Sequence, residues 1–175
     1  HNLTRLVTRS YTEGQHQGVP ALHKDWLAGA SEGLIALSAH TGDVGQALLV
    51  QQRPLAGQLL RDWQALFPGR FYLEVSRTGR EGEEDYLHAA VELALAMQTP
   101  LVASNDVRFL TRDYFEAHEA RVCIREGRTL ADPRRPRHYT EQQYLRTPQE
   151  MAELFADLPE ALENSVEIAH RCNLT

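Results

Sequence analysis

Cysteine is nearly absent: Cys123 and Cys172 are the two in 175 residues. They do not form a metal-ligand spacing, and two cysteines suggest no disulfide framework, so a reducing cytoplasm is the expected setting. No apolar run reaches the ~18 residues of a membrane-spanning helix, so no membrane association is expected. Positive charge is also in deficit, with 18 Lys and Arg against 24 Asp and Glu and a net charge of −6. A domain that grips DNA by its phosphates is basic, because phosphate contacts supply much of the affinity. This chain is therefore not expected to form the main DNA-holding surface. A local exception, Arg134, Arg135 and Arg137 around Pro136, reads as a solvated loop. The chain starts at His1 and has no basic, apolar and small-residue leader of the secretory kind, so it is expected to be a piece of a longer protein. Neither GxSxG, P-loop, HExxH nor GxGxxG occurs. Ser, Cys and His form no recognisable nucleophile arrangement.

What is present suits an α/β domain. Apolar residues make up 42% of the chain, enough to bury a core for one domain or a large piece of one. Helical spacing of Leu3, Leu6 and Val7 predicts a first helix, followed by a Gly- and Gln-rich loop over Thr12–Pro20 and a helical turn from Asp25 to Leu27. Short apolar or β-branched runs predict strands at Gly33–Ser38, the first buried on both faces, at Phe71–Val75 and at Leu101–Ser104. Helices are expected over Val44–Val50, over Pro54–Phe67, and along the stripe of Tyr86, Leu87, Ala90, Val91, Ala94 and Met97. A further helix, capped by Thr111 and ended by Gly127, carries Phe115, Ala120, Val122 and Ile124. A Pro/Arg loop and a short extended piece within His138–Arg146 follow. Thr147-Pro148-Gln149-Glu150 is a capping box with proline at the first helical position, and Pro159 opens a last helix. Alternating strands and helices imply parallel βα units. Three strands are too few to close a barrel, so further strands are expected in sequence preceding His1.

In such units polar groups that do chemistry gather at the C-terminal strand ends. The three predicted ends offer His40, then Glu74 and Arg77, then Asn105, Asp106 and Arg108. One imidazole and two carboxylates could hold a divalent metal if they converged. Arg108 opposes this, since two residues after Asp106 on an extended backbone its guanidinium shares a side with the carboxylate, repels a cation and can neutralise the acid itself. His16, His23, His88, His118 and His170 read as loop or helix residues rather than ligands.

The residues also resemble a known family. Pro100–Phe109, PLVASNDVRF, is similar to the LPLVATNDVHY signature of bacterial DNA polymerase III alpha subunits, the C-family replicative polymerases. Gly33–Ser38 resembles their GLIALSGC strand, and Glu150–Asn164 resembles their EEMAELFADLPEALENT segment, with Ile168–Leu174 continuing the likeness. The resemblance runs in order along nearly the whole chain.

It implies the C-terminal part of a PHP domain, a (βα)7 TIM-like barrel related to metal-dependent phosphoesterases, over residues 1–146, and a helical end leading towards the polymerase core over residues 147–175. In active members the cysteine of SGC and the aspartate and histidine of NDVH are metal ligands. Here His40 stands at the cysteine, Asp106 is kept and Arg108 replaces the histidine. The change at Arg108 resembles the proteobacterial branch, where the site is degenerate and the domain docks a separate proofreading exonuclease subunit. The resemblance thus implies no metal at His40, Asp106 and Arg108, no catalytic residue in this chain, a scaffold role beside other holoenzyme subunits, and a parent that extends DNA with magnesium. The rival reading is a phosphoesterase, a 3′–5′ exonuclease or pyrophosphatase using zinc or manganese. A third, a stand-alone PHP enzyme, fits the polymerase-type ending poorly.

Overall fold

The computed structural model describes residues 1–173, so Leu174, at the end of the family-like segment, lies outside the described residues. The fold is mixed α/β. Helix α1 (Asn2–Thr12) is followed by a two-stranded antiparallel hairpin, β1 (Gln15–His16) and β2 (Val19–Pro20). The sequence reading had a plain loop here. Gln17 and Gly18 both take positive φ, 50° and 81°, which is the backbone that closes a two-residue hairpin with the right twist. The turn near Trp26 is a 3-10 turn over Lys24–Gly29.

Three parallel strands follow, β3 (Ala36–Ser38), β4 (Phe71–Val75) and β5 (Leu101–Ala103), in the sheet order β3-β4-β5. Helices α2 (Asp43–Leu49) and α3 (Arg53–Leu66) connect the first pair, and α4 (Glu83–Met97) the second. The central strand is buried at four of its five positions, as its unbroken apolar run demands. The reading of the first strand needs correction. It is shorter than Gly33–Ser38, and it is not buried on both faces, because Leu37 is 45% exposed at the open edge of the sheet.

Helix α5 (Phe115–Glu126) follows a 3-10 turn over Arg112–Tyr114, and the Thr111 side chain caps neither element. Gly127 ends α5 at φ 64°, where Arg128 N–H reaches the Cys123 carbonyl at 2.9 Å. Of the expected apolar residues Phe115, Ala120 and Val122 are half-buried and Ile124 is exposed, while His118, Glu119 and Cys123 are the buried ones. Glu119 draws Arg135 in from the Pro/Arg loop, so this arginine is a half-buried anchor and not a solvated charge.

Helices α6 (Pro148–Leu154) and α7 (Pro159–Arg171) close the chain. The Thr147–Glu150 capping box forms in both directions. Helix α7 lies against β5, where Asn164 donates to the Leu101 carbonyl at 2.8 Å, and Arg171 reaches the Tyr72 hydroxyl at 2.6 Å. Phe155, fully buried, seals the α6–α7 corner into the common core. Arg77 covers its ring at 5.1 Å and forms a two-pronged pair with Asp157 at 2.6 and 2.8 Å.

Two carboxyls of this C-terminal segment titrate far below their ordinary range. The Tyr144 hydroxyl, then the Thr147 N–H, hold Glu150 at about 2, and the Arg77 guanidinium holds Asp157 at about 2. A carboxyl depressed in the folded state contributes stability above its unfolded value and loses it as pH falls through the folded value. The melting temperature is therefore expected to fall between about pH 4.5 and 2. The double substitution Glu150→Gln with Asp157→Asn is expected to flatten that fall, and an acid limb as steep as in the unaltered chain would contradict this assignment. Among the described residues no helix is long and apolar enough to cross a membrane.

Candidate functional site

The C-terminal ends of the three parallel strands do converge. Behind Ser38 the chain turns through Ala39 and His40 into α2. Gly45 permits this, since a Cβ there would meet the Ala39 carbonyl oxygen at 2.5 Å and the His40 Cα at 2.6 Å. Tyr86, buried on α4, places its hydroxyl 3.1 Å from both the Ser38 and Glu74 carbonyl oxygens and so ties the ends of β3 and β4. Burial, and then the Glu74 charge, push its phenol well above the ordinary range, so it acts as a neutral hydrogen-bonding post.

A cavity of about 200 Å³ lies at this end, lined by His40, Glu74, Ser76, Arg80, Asp106 and Arg108 among others. It opens beside a wider cleft that Arg137, His138 and Tyr139 border. Four of the expected residues, His40, Glu74, Asp106 and Arg108, thus share one wall system. Arg77 does not join them, because its guanidinium turns away to Asp157 and the Leu154 carbonyl. Asn105 does not line the cavity either. It is a buried clip, donating to the Gln142 and Tyr144 carbonyls at 2.8 and 2.7 Å and accepting from Arg146 at 3.1 Å. It holds the extended piece within 142–146 beside Phe109, whose carbonyl accepts from Leu145 N–H at 3.0 Å.

Asp106 is the hub of the site. Its φ of 40° is a left-handed conformation that Asp and Asn tolerate better than most residues. Arg108 Nη2 lies 2.7 Å from one carboxylate oxygen, and Arg80 Nη1 lies 2.7 Å from the other. Gln143 Nε2 adds a third donor at 3.0 Å. Arg80 was not among the residues singled out from sequence. It lies in the loop after β4, five residues beyond Val75, and neither strand-end position nor motif likeness points to it.

Arg80 bridges Asp106 to Glu83, which it meets at 3.1 Å. Glu83 is 2% exposed and accepts from the Ser76 hydroxyl at 2.6 Å and from the Thr78 and Gly79 N–H groups at 2.5 and 2.9 Å. Burial pushes its carboxyl up, but the hydrogen bonds from Ser76, Thr78 and Arg80 outweigh it and hold the group below the usual range. His40 is shifted downward, chiefly by burial and then by the Arg80 charge, against the opposing pull of Glu83, Asp106 and Glu74.

These residues do not fit a divalent cation. Both oxygens of the central carboxylate already face guanidinium groups, and each positive charge would repel an incoming ion. Among the described residues no three His, Cys, Asp or Glu side chains are grouped as a metal would need. What the arrangement does chemically is cross-link: Asp106 joins the β4–α4 loop, the segment after β5 and, through Gln143, the extended piece.

The PHP domain family profile matches residues 1–78. The DNA polymerase III subunit alpha of Pseudomonas aeruginosa is 60% identical over 174 residues. That of Escherichia coli K12 is 53% identical over 175 residues, and that of Xylella fastidiosa is 48% identical over 174. Each alignment covers 99% of this chain and 15% of the relative, so the chain spans about one seventh of the length of these relatives. With near-complete coverage of the chain at such identity, the chain belongs to the DNA polymerase III alpha subunit family, of the kind found in proteobacteria.

Proposed function

We propose that this chain is the PHP region of a replicative DNA polymerase alpha subunit, that its strand-end cleft no longer performs phosphoester chemistry, and that the region serves as a scaffold. The observation that carries this reading is the pair of arginines on Asp106, at 2.7 Å each. A hydrolytic site needs a charge that can polarise a phosphoryl oxygen or activate water. Here the carboxylate that would hold such an ion is spent on holding the fold.

The rest of the reading follows from that role. The three parallel strands are part of a (βα)7 barrel whose other strands belong to the parent protein, a reading supported by the exposed edge at Leu37. Residues 1–146 form the barrel part, and residues 147–175 lead towards the polymerase core. The parent extends DNA in the cytoplasm with magnesium at a palm region elsewhere. This chain, at a net charge of −6, contributes little to DNA contact. Its partners are a separate proofreading exonuclease subunit and other subunits of the holoenzyme.

The test uses the full-length parent with its exonuclease subunit. Elemental analysis should find no stoichiometric zinc or manganese in the PHP region, and a variant lacking this region should lose exonuclease binding. Tightly held metal together with phosphodiester cleavage that survives inactivation of the polymerase site would overturn the reading in favour of an active phosphoesterase.

A further inference from the structure

We propose that the groove between α4 and α7 is a docking surface for a basic amphipathic helix carried by a separate subunit. The inference deepens, and rests on, the reading of this region as a scaffold: it gives one partner a surface and a chemistry. The groove lies where Pro100 and Leu101 open β5, at the opposite strand end from Asp106. Its volume is about 690 Å³, the size of a ligand-holding cleft. Val91, Ala94 and Leu95 of α4 form one wall, and Leu158, Pro159 and Ala161 at the start of α7 form the other. A lone exposed leucine is ordinary, but Leu95, 77% exposed, borders an apolar groove.

The charges on the groove are of one sign. Asp157 and Glu160 line it, and no Lys or Arg does. Helical spacing carries the same acidic face onward: Glu167 lies seven residues beyond Glu160, with Glu163 between them, and all three are exposed. Beyond Thr147 the chain holds six acidic side chains and a single arginine, Arg171, which is bound to the Tyr72 hydroxyl and the Gly69 carbonyl. Arg77 answers Asp157 and Arg53 answers Glu92 on α4, which leaves Glu160, Glu163 and Glu167 unanswered among the described residues.

These observations choose among occupants. The acidic rim repels the phosphates of a nucleic acid. A small molecule would fill the cavity and leave the glutamates farther along α7 unused. A helix uses both, because Glu160 and Glu167 are about 10 Å apart along the axis, the same rise as residues i and i+7 of a partner helix. Apolar side chains on one face of that helix enter the groove, and Lys or Arg beside them meet the three glutamates. A second copy of this chain is the poorer occupant. Its basic stripe, Arg121, Arg125 and Arg128 on and just after α5, already spends Arg128 on Asp132, and the contact would be head-to-tail without closing.

The test uses the full-length parent assembled with the purified subunits of its holoenzyme, and the probe is the photo-cross-linker p-benzoylphenylalanine in place of Leu95. Irradiation should join it to a segment of another subunit that carries Lys or Arg beside Leu, Ile or Val at helical spacing, identified by mass spectrometry of the cross-linked peptide. Adding Glu160→Lys and Glu167→Lys should lower the yield at least about fivefold at low salt, and the difference should shrink at high salt, since rim charges act through a screened field. Circular dichroism reports the folding of each variant. If lysine impairs folding, Glu160→Gln with Glu167→Gln decides the matter, with a loss in the same direction. A cross-link to the parent's own chain, to a second copy or to a segment without basic residues would overturn the proposal, as would an unchanged yield in the folded charge variant. So would the absence of any cross-link from a complex that still assembles, an outcome that leaves the scaffold reading standing. Failure of every subunit to bind the intact parent would instead sink the scaffold reading, and the groove with it.

Discussion

Glu83→Ala is expected to lower the unfolding free energy by about 3–5 kcal/mol, the cost of removing one partner from a buried ionic network. Glu83 is 2% exposed, and its two oxygens accept from the Ser76 and Thr78 hydroxyls, from the Thr78 and Gly79 N–H groups and from Arg80. Alanine leaves the Thr78 N–H unpaired in the interior, and an unsatisfied buried donor costs about 1–3 kcal/mol. It also leaves Arg80 with a single counter-charge. Glu83→Gln keeps an acceptor oxygen but turns an amide N–H2 towards the same donors, so its loss should be intermediate. Urea unfolding measures both, and a change below about 1 kcal/mol for the alanine variant would mean that the β4–α4 loop does not depend on this carboxylate.

Phe155→Ala should cost about 3–5 kcal/mol by lost burial and the cavity left behind. The ring is fully buried where α6 turns into α7, and it packs in the same cluster as β4 and α4. Because Arg77 sits over this ring and also pairs with Asp157, the substitution should loosen the whole C-terminal segment and not one side chain alone. The checks are the melting temperature and limited proteolysis: cleavage between α6 and α7 should appear well below the melting point of the rest. A variant as resistant as the unaltered chain would contradict the role given to Phe155.

Much of the fold was legible because its central elements obey simple periodicities. Strand β4 and helix α4 carry patterns that admit one reading, and the capping box at Thr147 forms as its residues require. The misses have physical causes. The β1–β2 hairpin rests on two left-handed residues, and Gln17 gives no sign of that. Helix α5 buries His118 and Glu119 while exposing Ile124, because the anchor Arg135 and the ring of Tyr139, which meets His118 edge-on at 4.6 Å, draw the polar face inward. Apolar spacing cannot report a partner that arrives from a loop.

The cleft was half legible for the same reason. His40, Glu74 and Asp106 could be placed by the rule that strand ends converge, and Arg108 by its nearness to Asp106. Arg80 lies in an irregular loop, and nothing local marks it. Its importance comes from Glu83, which turns it inward, and from the positive φ of Asp106, which presents the carboxylate to it. Arg77, the arginine named at the strand end, serves the α6–α7 corner instead.

Crystals of the chain grown in millimolar manganese, with an anomalous difference map, test the arrangement most directly. The account predicts no peak at the strand-end cleft, with the guanidinium groups of Arg80 and Arg108 each in hydrogen-bonding contact with Asp106. A manganese peak bound to the Asp106 carboxylate, with Arg80 displaced from it, would contradict the account.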